Sequence, residues 1–187
     1  MHTTPASLLL RLRQPDEQRA WQQFVDLYTP LLVHWSLRLG LKEPDAADLV
    51  QDVFLVLSQR MTGFEYDRQK SFRGWLRTIL HNKLRDRQRR ATLPLDGGEV
   101  EPDQLPSPER DNDLSEKEYR QFLVSRALEV MQAEFQPATW KACREHIVAG
   151  RPAADVAREL GITTNAVYLS TSRVLRRLRA ELEGLLD

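Results

Sequence analysis

The chain contains very little cysteine and no long apolar run. Only one of its 187 residues, Cys143, is a cysteine, so no disulfide can form within the chain. The longest apolar stretches, such as residues 53–57, are far shorter than the roughly 18 residues that a membrane-spanning helix needs. No basic and then apolar leader is present at the start of the sequence. We therefore expect a cytoplasmic protein in which Cys143 is a small buried residue.

The chain also has no net charge, but its charges are unevenly distributed. The total is 27 basic and 27 acidic residues. Residues 60–90 carry ten basic side chains against three acidic ones, whereas residues 96–118 carry nine acidic side chains against two basic ones. A zero sum can hide a strongly basic local surface, which is typical of proteins that bind nucleic acid.

Residues 91–114 have the composition of a linker. Four prolines and a glycine pair interrupt them: Pro94, Pro102, Pro106, Pro108 and Gly97–Gly98. Prolines and repelling charges favour an extended, hydrated path over a packed one. This segment divides the chain into two predicted domains, residues 1–90 and residues 115–187, whose sizes suit small helical domains.

Both predicted domains show the three- and four-residue apolar spacing of helices, so we expect an all-α fold. In the first domain, helices are predicted around residues 21–32, residues 46–57 and from about Ser71 into the basic residues 85–90. In the second domain, Ser115 and Glu118 form a capping-box pattern and Pro137 starts another helix. Two further helices are expected at residues 153–160 and 164–182.

The last two helices have the form of a helix-turn-helix, with Gly161 in the turn. A glycine permits a positive φ there, and the second helix of this motif lies in the DNA major groove. Helical spacing predicts an apolar side with Val167, Val174, Leu175, Leu178 and Leu182. The opposite side is predicted to carry Asn165, Leu169, Ser172, Arg173 and Arg176. Asparagine and arginine pair bidentately with adenine and guanine, although an ordinary solvated helix face would show the same pattern.

Three stretches resemble motifs of bacterial sigma factors. Residues 45–54, DAADLVQDVF, are similar to the helix with which these proteins grip the clamp coiled coil of RNA polymerase. Residues 72–82, FRGWLRTILHN, followed by Asp86 and Arg89–Arg90, resemble the helix that melts the promoter and reads its −10 element. Residues 161–167, GITTNAV, continued by 172–179, SRVLRRLR, resemble the −35-reading motif. The order of the motifs and the short chain identify it as a member of the extracytoplasmic-function branch.

The resemblance implies a promoter-specificity subunit with no active site, no metal and no cofactor of its own. Its partners would be core RNA polymerase and promoter DNA, and an anti-sigma factor stays open. The residues implied for polymerase binding are Asp48, Gln51, Asp52 and Phe54. Those implied for −10 binding and melting are Arg68, Lys70, Arg73, Trp75, Arg77, Asn82, Lys83, Arg87 and Arg90. Those implied for −35 binding are Thr164, Asn165, Tyr168, Leu169, Ser172, Arg173, Arg176 and Arg177.

The chain departs from the family in two places. Many relatives carry a lysine and an arginine where this chain has Tyr168 and Ser170, so the −35 sequence that it reads is open. The linker is long and strongly acidic. It could mimic nucleic acid in the RNA exit channel, as the resemblance implies, or serve as a solvated tether, and the sequence does not separate the two.

Other functions of these residues are less well supported by the sequence. Asp45, Asp48 and Asp52 share a helix face, but no histidine lies near them in sequence, so a metal site is not favoured. Trp75 could stack on unpaired DNA, yet its spacing with Phe72 favours the core. A stand-alone helix-turn-helix regulator would need a dimer surface. A nuclease would need clustered metal ligands or a nucleophile paired with a base, and the sequence shows neither.

Overall fold

The fold is described by a computed structural model over residues 7–14, 16–63, 71–92 and 115–186. Every regular element in these ranges is helical, which confirms the all-α prediction. The principal helices are α1 (Leu8–Leu12), α2 (Gln18–Arg38), α3 (Glu43–Arg60), α4 (Phe72–Thr92), α5 (Glu116–Met131), α6 (Pro137–Cys143), α7 (Ala153–Leu160) and α8 (Thr164–Glu181). None of the described helices is long and apolar enough to cross a membrane.

Short 3₁₀ or π-helical turns follow three of these helices. Met61–Gly63 is a 3₁₀ turn after α3, and Gln132–Glu134 is another after α5. Arg144–Val148 is a π-helical turn after α6. The linker prediction falls almost entirely on residues 93–114, which lie outside the described residues.

Side-chain caps explain where α5 and α8 begin. At α5 the Ser115 hydroxyl accepts the Glu118 backbone N–H at 3.2 Å, and the Glu118 carboxylate accepts the Ser115 N–H at 2.7 Å. These two bonds form the predicted capping box. Hydrogen bonding of the Glu118 carboxylate to the Ser115 side chain, and then to the Ser115 backbone N–H, lowers the pKa of that carboxyl. At α8 the Thr163 hydroxyl accepts the Ala166 N–H at 3.1 Å.

One hydrophobic cluster, which we call the large core, unites α1 to α4 with α5 and the end of α8. The rings of Phe24, Tyr28 and Phe72 pack together in it, with centroids 4.7–5.9 Å apart, and Phe72 meets the other two edge-on. Tyr119 of α5 and Leu185, beyond α8, are completely buried in the same cluster. The division into residues 1–90 and 115–187 stays a prediction from linker composition, and the apolar packing of the described residues crosses it.

A second cluster, the small core, holds the helix-turn-helix together. It consists of Ala142, Ala153, Val156, Ala157 and Val167. Ion pairs reinforce it at the surface, where Arg151 reaches Glu159 at 2.7 Å and Glu145 at 3.1 Å. Those two carboxylates raise the pKa of Arg151, and Arg151 in turn lowers the pKa of Glu159. The small core joins α6, α7 and α8, and the ion pairs join α7 to the turn that follows α6.

Candidate nucleic-acid and polymerase interfaces

The turn between α7 and α8 has the geometry that the sequence predicted. Gly161 adopts a left-handed conformation with φ 65° and ψ 31°, which an L-residue with a side chain adopts at a cost. The Ile162 N–H donates to the Ala157 carbonyl at 3.0 Å and closes the turn. Val167 then enters the small core and orients α8.

The two faces of α8 also follow the prediction. Val167, Val174, Leu178 and Leu182 are buried, and Leu175 is half-buried. The exposed side carries most of the residues predicted for −35 binding, which we call the α8 outer face: Thr164, Asn165, Tyr168, Leu169, Ser172, Arg173 and Arg176. Polar, basic and apolar groups therefore lie together on an exposed side of α8.

Two details of the α8 outer face were not among the predicted −35 contacts. Arg179 joins Arg176 and Tyr168 around a shallow groove, and it lies about one turn beyond Arg176. The Tyr168 ring stands edge-on to His146 at 5.5 Å, and His146 is itself fixed by a 2.8 Å bond between its Nδ1 and the Arg151 carbonyl. Helical spacing alone places Arg179 near Arg176, whereas the His146 contact depends on how α6 packs.

Arg177 differs from its neighbours on α8. Its guanidinium pairs with the buried Glu181 carboxylate one turn on, and reaches Glu134 at 3.2 Å. The side chain is 23% exposed and faces the end of α5. The structure therefore places Arg177 apart from the α8 outer face, because two carboxylates hold it there.

The basic side of α4 is largely engaged with other parts of the protein. Arg73 lies over the Tyr119 ring at 4.7 Å and faces Glu116 at 3.6 Å, with only 11% of its side chain exposed. Arg77 lies over the Trp35 ring at 5.7 Å. Arg87 donates to Asp52 at 2.9 Å. Three predicted −10 contacts are thus occupied by intramolecular partners.

The other residues predicted for −10 binding vary in exposure. Asn82 and Arg90 are exposed and Lys83 is half-exposed. Trp75 is half-buried against the large core, with its ring 5.6 Å from Phe72, as its spacing favoured. Arg68 and Lys70 lie outside the described residues. The exposed basic surface of α4 is therefore concentrated toward its second half.

The residues predicted for polymerase binding lie along one side of α3. Asp48 and Gln51 are exposed, whereas Asp52 is half-buried and paired with Arg87. Phe54 is half-buried, and its ring meets Phe24 edge-on at 6.0 Å. Leu55, which the sequence analysis did not single out, is 59% exposed beside them. Its signal in the sequence is an apolar residue that falls outside the buried stripe of α3.

Neither a metal site nor a reactive thiol stands out in the described part of the chain. No group of three histidine, cysteine, aspartate or glutamate side chains is arranged there to hold a metal ion. Cys143 is buried, and its burial raises the pKa of the thiol. A protonated, enclosed thiol is a poor nucleophile, so Cys143 acts as a packing residue.

Comparison with known proteins agrees with these features. Residues 24–93 match the family described as Sigma-70 region 2. RNA polymerase sigma factor NccH of Alcaligenes xylosoxydans xylosoxydans is 30% identical over 184 residues, which cover 94% of each chain. RNA polymerase sigma factor CnrH of Cupriavidus metallidurans is 38% identical over 69 residues, which cover 37% of this chain and 35% of CnrH.

A solved structure of CnrH in complex with the cytosolic domain of CnrY is also similar to this chain. It shares 24% identity over 94% of this chain and 95% of its own, with a TM-score of 0.37, a value too low to compare shapes. The family assignment rests instead on NccH, which aligns over nearly the whole of both chains. The chain belongs to the sigma-70 family of sigma factors, in its extracytoplasmic-function branch, and acts in transcription initiation.

Proposed function

We propose that the chain binds core RNA polymerase through α3 and reads two promoter elements, the −35 element as duplex and the −10 element as it opens. The observation that carries this proposal is the α8 outer face. It presents Asn165, Arg173 and Arg176 on an exposed side, while the opposite side is anchored in the protein core. A helix fixed on one side and polar on the other is the arrangement with which a helix-turn-helix enters the major groove.

Within this face we assign different roles by position along α8. Asn165 lies at the start of the helix, where base edges are read, and its amide can pair bidentately with adenine. Arg176 lies more than two turns further on and is assigned to a phosphate, together with Arg179. Arg173 can serve either role. Arg177 supports the helix through Glu134 and Glu181 and is left outside the reading set.

For the −10 element we propose that α4 provides phosphate contacts through its exposed second half. Asn82, Lys83 and Arg90 are accessible there. Arg73, Arg77, Arg87 and Trp75 are proposed to contribute once their present partners are displaced, and Arg68 and Lys70 stay predictions from the sequence. Cations that follow a strand, next to an aromatic ring, suit single-stranded DNA.

We propose that polymerase binds the surface formed by Asp48, Gln51, Asp52 and the neighbouring Leu55. The half-buried Phe54 supports this surface from the interior side of α3. Acidic groups around one exposed leucine fit a basic partner helix with an apolar centre. The protein would then work as a subunit, without an active site, in the cytoplasm where polymerase is found. CnrH has been solved with the cytosolic domain of CnrY. By analogy we propose that an anti-sigma factor restrains this chain.

The test is transcription by core polymerase and the purified protein from promoters randomised at the −35 element. Asn165→Ala should relax the preference at one base pair, because a lost bidentate contact costs about 1–3 kcal/mol. Arg176→Ala should weaken all promoters alike and reduce the salt dependence by about one unit. An unchanged sequence preference in Asn165→Ala, with a change at one position in Arg176→Ala, would reverse the two assignments.

A binding measurement tests the α3 surface separately. Asp48→Lys should weaken binding to core polymerase while helical content is unchanged, because Asp48 is exposed and pairs with no other described residue. Asp155→Lys is the matched control, since it makes the same charge change in α7, away from α3. Equal co-purification of both variants with polymerase would reject α3 as the binding surface.

A further inference from the structure

Two large apolar side chains are exposed side by side in the first two turns of α8. Tyr168 is 54% exposed and Leu169 is 59% exposed. The packing of the helix does not require them, because Val167, Val174 and Leu178 already fill its buried side. Adjacent exposed apolar side chains with polar residues around them are typical of a binding surface.

A contact with the turn after α6 holds the Tyr168 ring in place. The ring centroid lies 5.5 Å from that of His146, and the two planes are inclined at 76°. The His146 ring is itself fixed by the 2.8 Å bond between its Nδ1 and the Arg151 carbonyl. Arg151 is held in turn by Glu145 and Glu159. The Tyr168 ring is therefore preorganised, and it loses less conformational entropy when a ligand covers it.

Hydrogen-bonding side chains surround the apolar pair on α8. Asn165 lies one turn before Leu169 and Arg173 one turn after it, and residues four apart share one side of a helix. Both are exposed. Next to them, Tyr168 lines the shallow groove together with Arg176. A ligand that fits this surface must therefore offer hydrogen-bonding groups around an apolar one.

The major groove of DNA offers this combination. Its base edges carry hydrogen-bond donors and acceptors, and the C5-methyl of thymine is the apolar group among them. An apolar protein surface would instead cover Asn165 and Arg173 without supplying hydrogen bonds, which is costly. The positive charge of Arg173 and Arg176 also complements DNA phosphates. The surface is thus better matched to a duplex that contains thymine than to a protein.

The spacing along α8 gives Asn165 and Leu169 separate bases. Four residues of an α-helix rise about 6 Å at 1.5 Å per residue, and stacked base pairs are about 3.4 Å apart. Side chains one turn apart, on a helix that lies in the groove, therefore meet base pairs about two steps apart. An adenine contact by Asn165 and a thymine contact by Leu169 can form in the same complex.

We propose that Leu169 contacts the methyl group of a thymine in the −35 duplex, with the Tyr168 ring packed beside it and held in place by His146. This inference rests on the proposed function, because it names a second base that the α8 outer face recognises besides the one assigned to Asn165. Leu169 and Tyr168 determine specificity for that thymine. His146 is assigned no DNA contact and is a positioning residue that acts through Tyr168.

Replacement of thymine by uracil tests the contact, because uracil lacks only the methyl group. The preferred −35 element is taken from transcription of the randomised promoters, and each of its thymines is replaced singly. Binding of holoenzyme, formed from core polymerase and the full chain, is measured on each duplex. One replacement should weaken binding about three- to fivefold, the factor that burial of one methyl group contributes. A preferred element without thymine, or affinities that no replacement changes, would overturn the proposal.

The affinity for the thymine duplex divided by that for the uracil duplex, the thymine-to-uracil ratio, should fall to about one in Leu169→Ala, because no side chain then reaches the methyl group. Leu10→Ala is the matched control, since Leu10 is 52% exposed in α1, and it should keep the ratio of the parent. Asn165→Ala should keep that ratio as well, because it changes the contact with a different base. The parent ratio in Leu169→Ala would contradict the assignment.

The role of His146 is tested through its coupling to Tyr168. His146→Ala should lower the thymine-to-uracil ratio in the parent but not in a Tyr168→Ala background, because the ring through which it acts is then absent. Tyr168→Phe should keep the ratio, since it retains the ring that meets His146. A fall by the same factor in both backgrounds would contradict the positioning role.

The same measurements distinguish this proposal from the proposed function. A −35 preference that depends on Asn165 but on no thymine methyl would reject the thymine contact and leave the proposed function intact. A holoenzyme without any −35 preference would reject the proposed function itself. If Leu169→Ala lost co-purification with core polymerase and kept the thymine-to-uracil ratio, a protein surface would cover Leu169, and the thymine contact would be wrong.

Discussion

The large core and the small core differ in size and in how each is held. Among the described residues the large core contains 27 buried residues and the small core only five. The large core draws on α1 to α5 and the end of α8, whereas the small core depends on α6 to α8 and on surface ion pairs around Arg151. The helix-turn-helix thus has the smaller apolar core, and it is attached to a larger bundle through α5 and α8.

The largest effect should come from breaking the small core alone. Val167 is completely buried, so Val167→Asp places an unpaired carboxylate in an apolar site and should cost about 3 kcal/mol or more. The helix-turn-helix should lose its cooperative thermal unfolding while the large core, followed by the fluorescence of Trp21 and Trp35, stays folded. Leu169→Asp is the control, because Leu169 is 59% exposed two residues away.

If Val167→Asp abolished the thermal unfolding transitions of the helix-turn-helix and of the large core together, the two cores would form one cooperative unit. The distinction between two separate parts would then be wrong. A lost helix-turn-helix with an intact bundle would show that the small core folds and unfolds by itself. Hydrogen exchange of the α2 and α7 amides would distinguish the two cases.

A somewhat smaller effect should come from high pH, which acts on the large core at its contact with α5. Burial raises the pKa of Tyr119 to about 12 and raises the pKa of Tyr28 well above its ordinary value. The folded state therefore resists ionisation that the unfolded state accepts near pH 10.0. The free energy of unfolding keeps its full value below that pH and should fall by about 2–3 kcal/mol as the pH rises toward 12.

Denaturant unfolding at a series of alkaline pH values measures this loss, and the absorbance of tyrosinate shows when the ring ionises. In Tyr119→Phe the loss should be smaller, because only Tyr28 of the pair can still ionise. The same alkaline loss in the variant and the parent would mean that Tyr119 is not the sensitive group.

The smallest effect should come from the turn that joins α7 to α8. Gly161 has φ 65° and open space where a Cβ would be, so Gly161→Ala meets no clash but must adopt a left-handed backbone. The expected cost is about 1 kcal/mol, confined to the unit with the small core. Thermal unfolding detects it, with Ala154→Gly in exposed α7 as a comparison of similar size. A gain in stability would show that the turn is more adaptable than its geometry indicates.

Much of the fold could be predicted from the sequence because it is local. Apolar spacing predicted the faces of α2, α3, α4 and α8, and the Ser115–Glu118 pattern predicted the start of α5. Gly161 indicated the turn because only a glycine adopts that backbone freely. The helix α1 was missed, since five residues are too few to show a period and packing on α2 supplies its stability.

The contacts between distant segments could not be predicted in this way. Helical spacing shows which side of α4 is basic, but it does not show that Tyr119 covers Arg73. The resemblance likewise grouped Arg177 with Arg176, and the two carboxylates that hold Arg177 became visible only with the three-dimensional packing. The polarity of a helix side follows from nearby residues in the sequence. The residues that pack against that side come from elements far apart in the chain.

The ion pairs of Arg151 have a consequence for any titration of this protein with salt. Salt weakens the binding of a protein to DNA because cations from solution compete with its basic side chains for the phosphates. They also screen exposed pairs such as Arg151 with Glu145 and Glu159, which support the small core. Added salt would therefore lower the stability of the helix-turn-helix as well as its affinity for DNA. Part of the salt dependence of DNA affinity would then come from destabilisation of the helix-turn-helix. A count of phosphate contacts taken from the whole slope would be too high by that part.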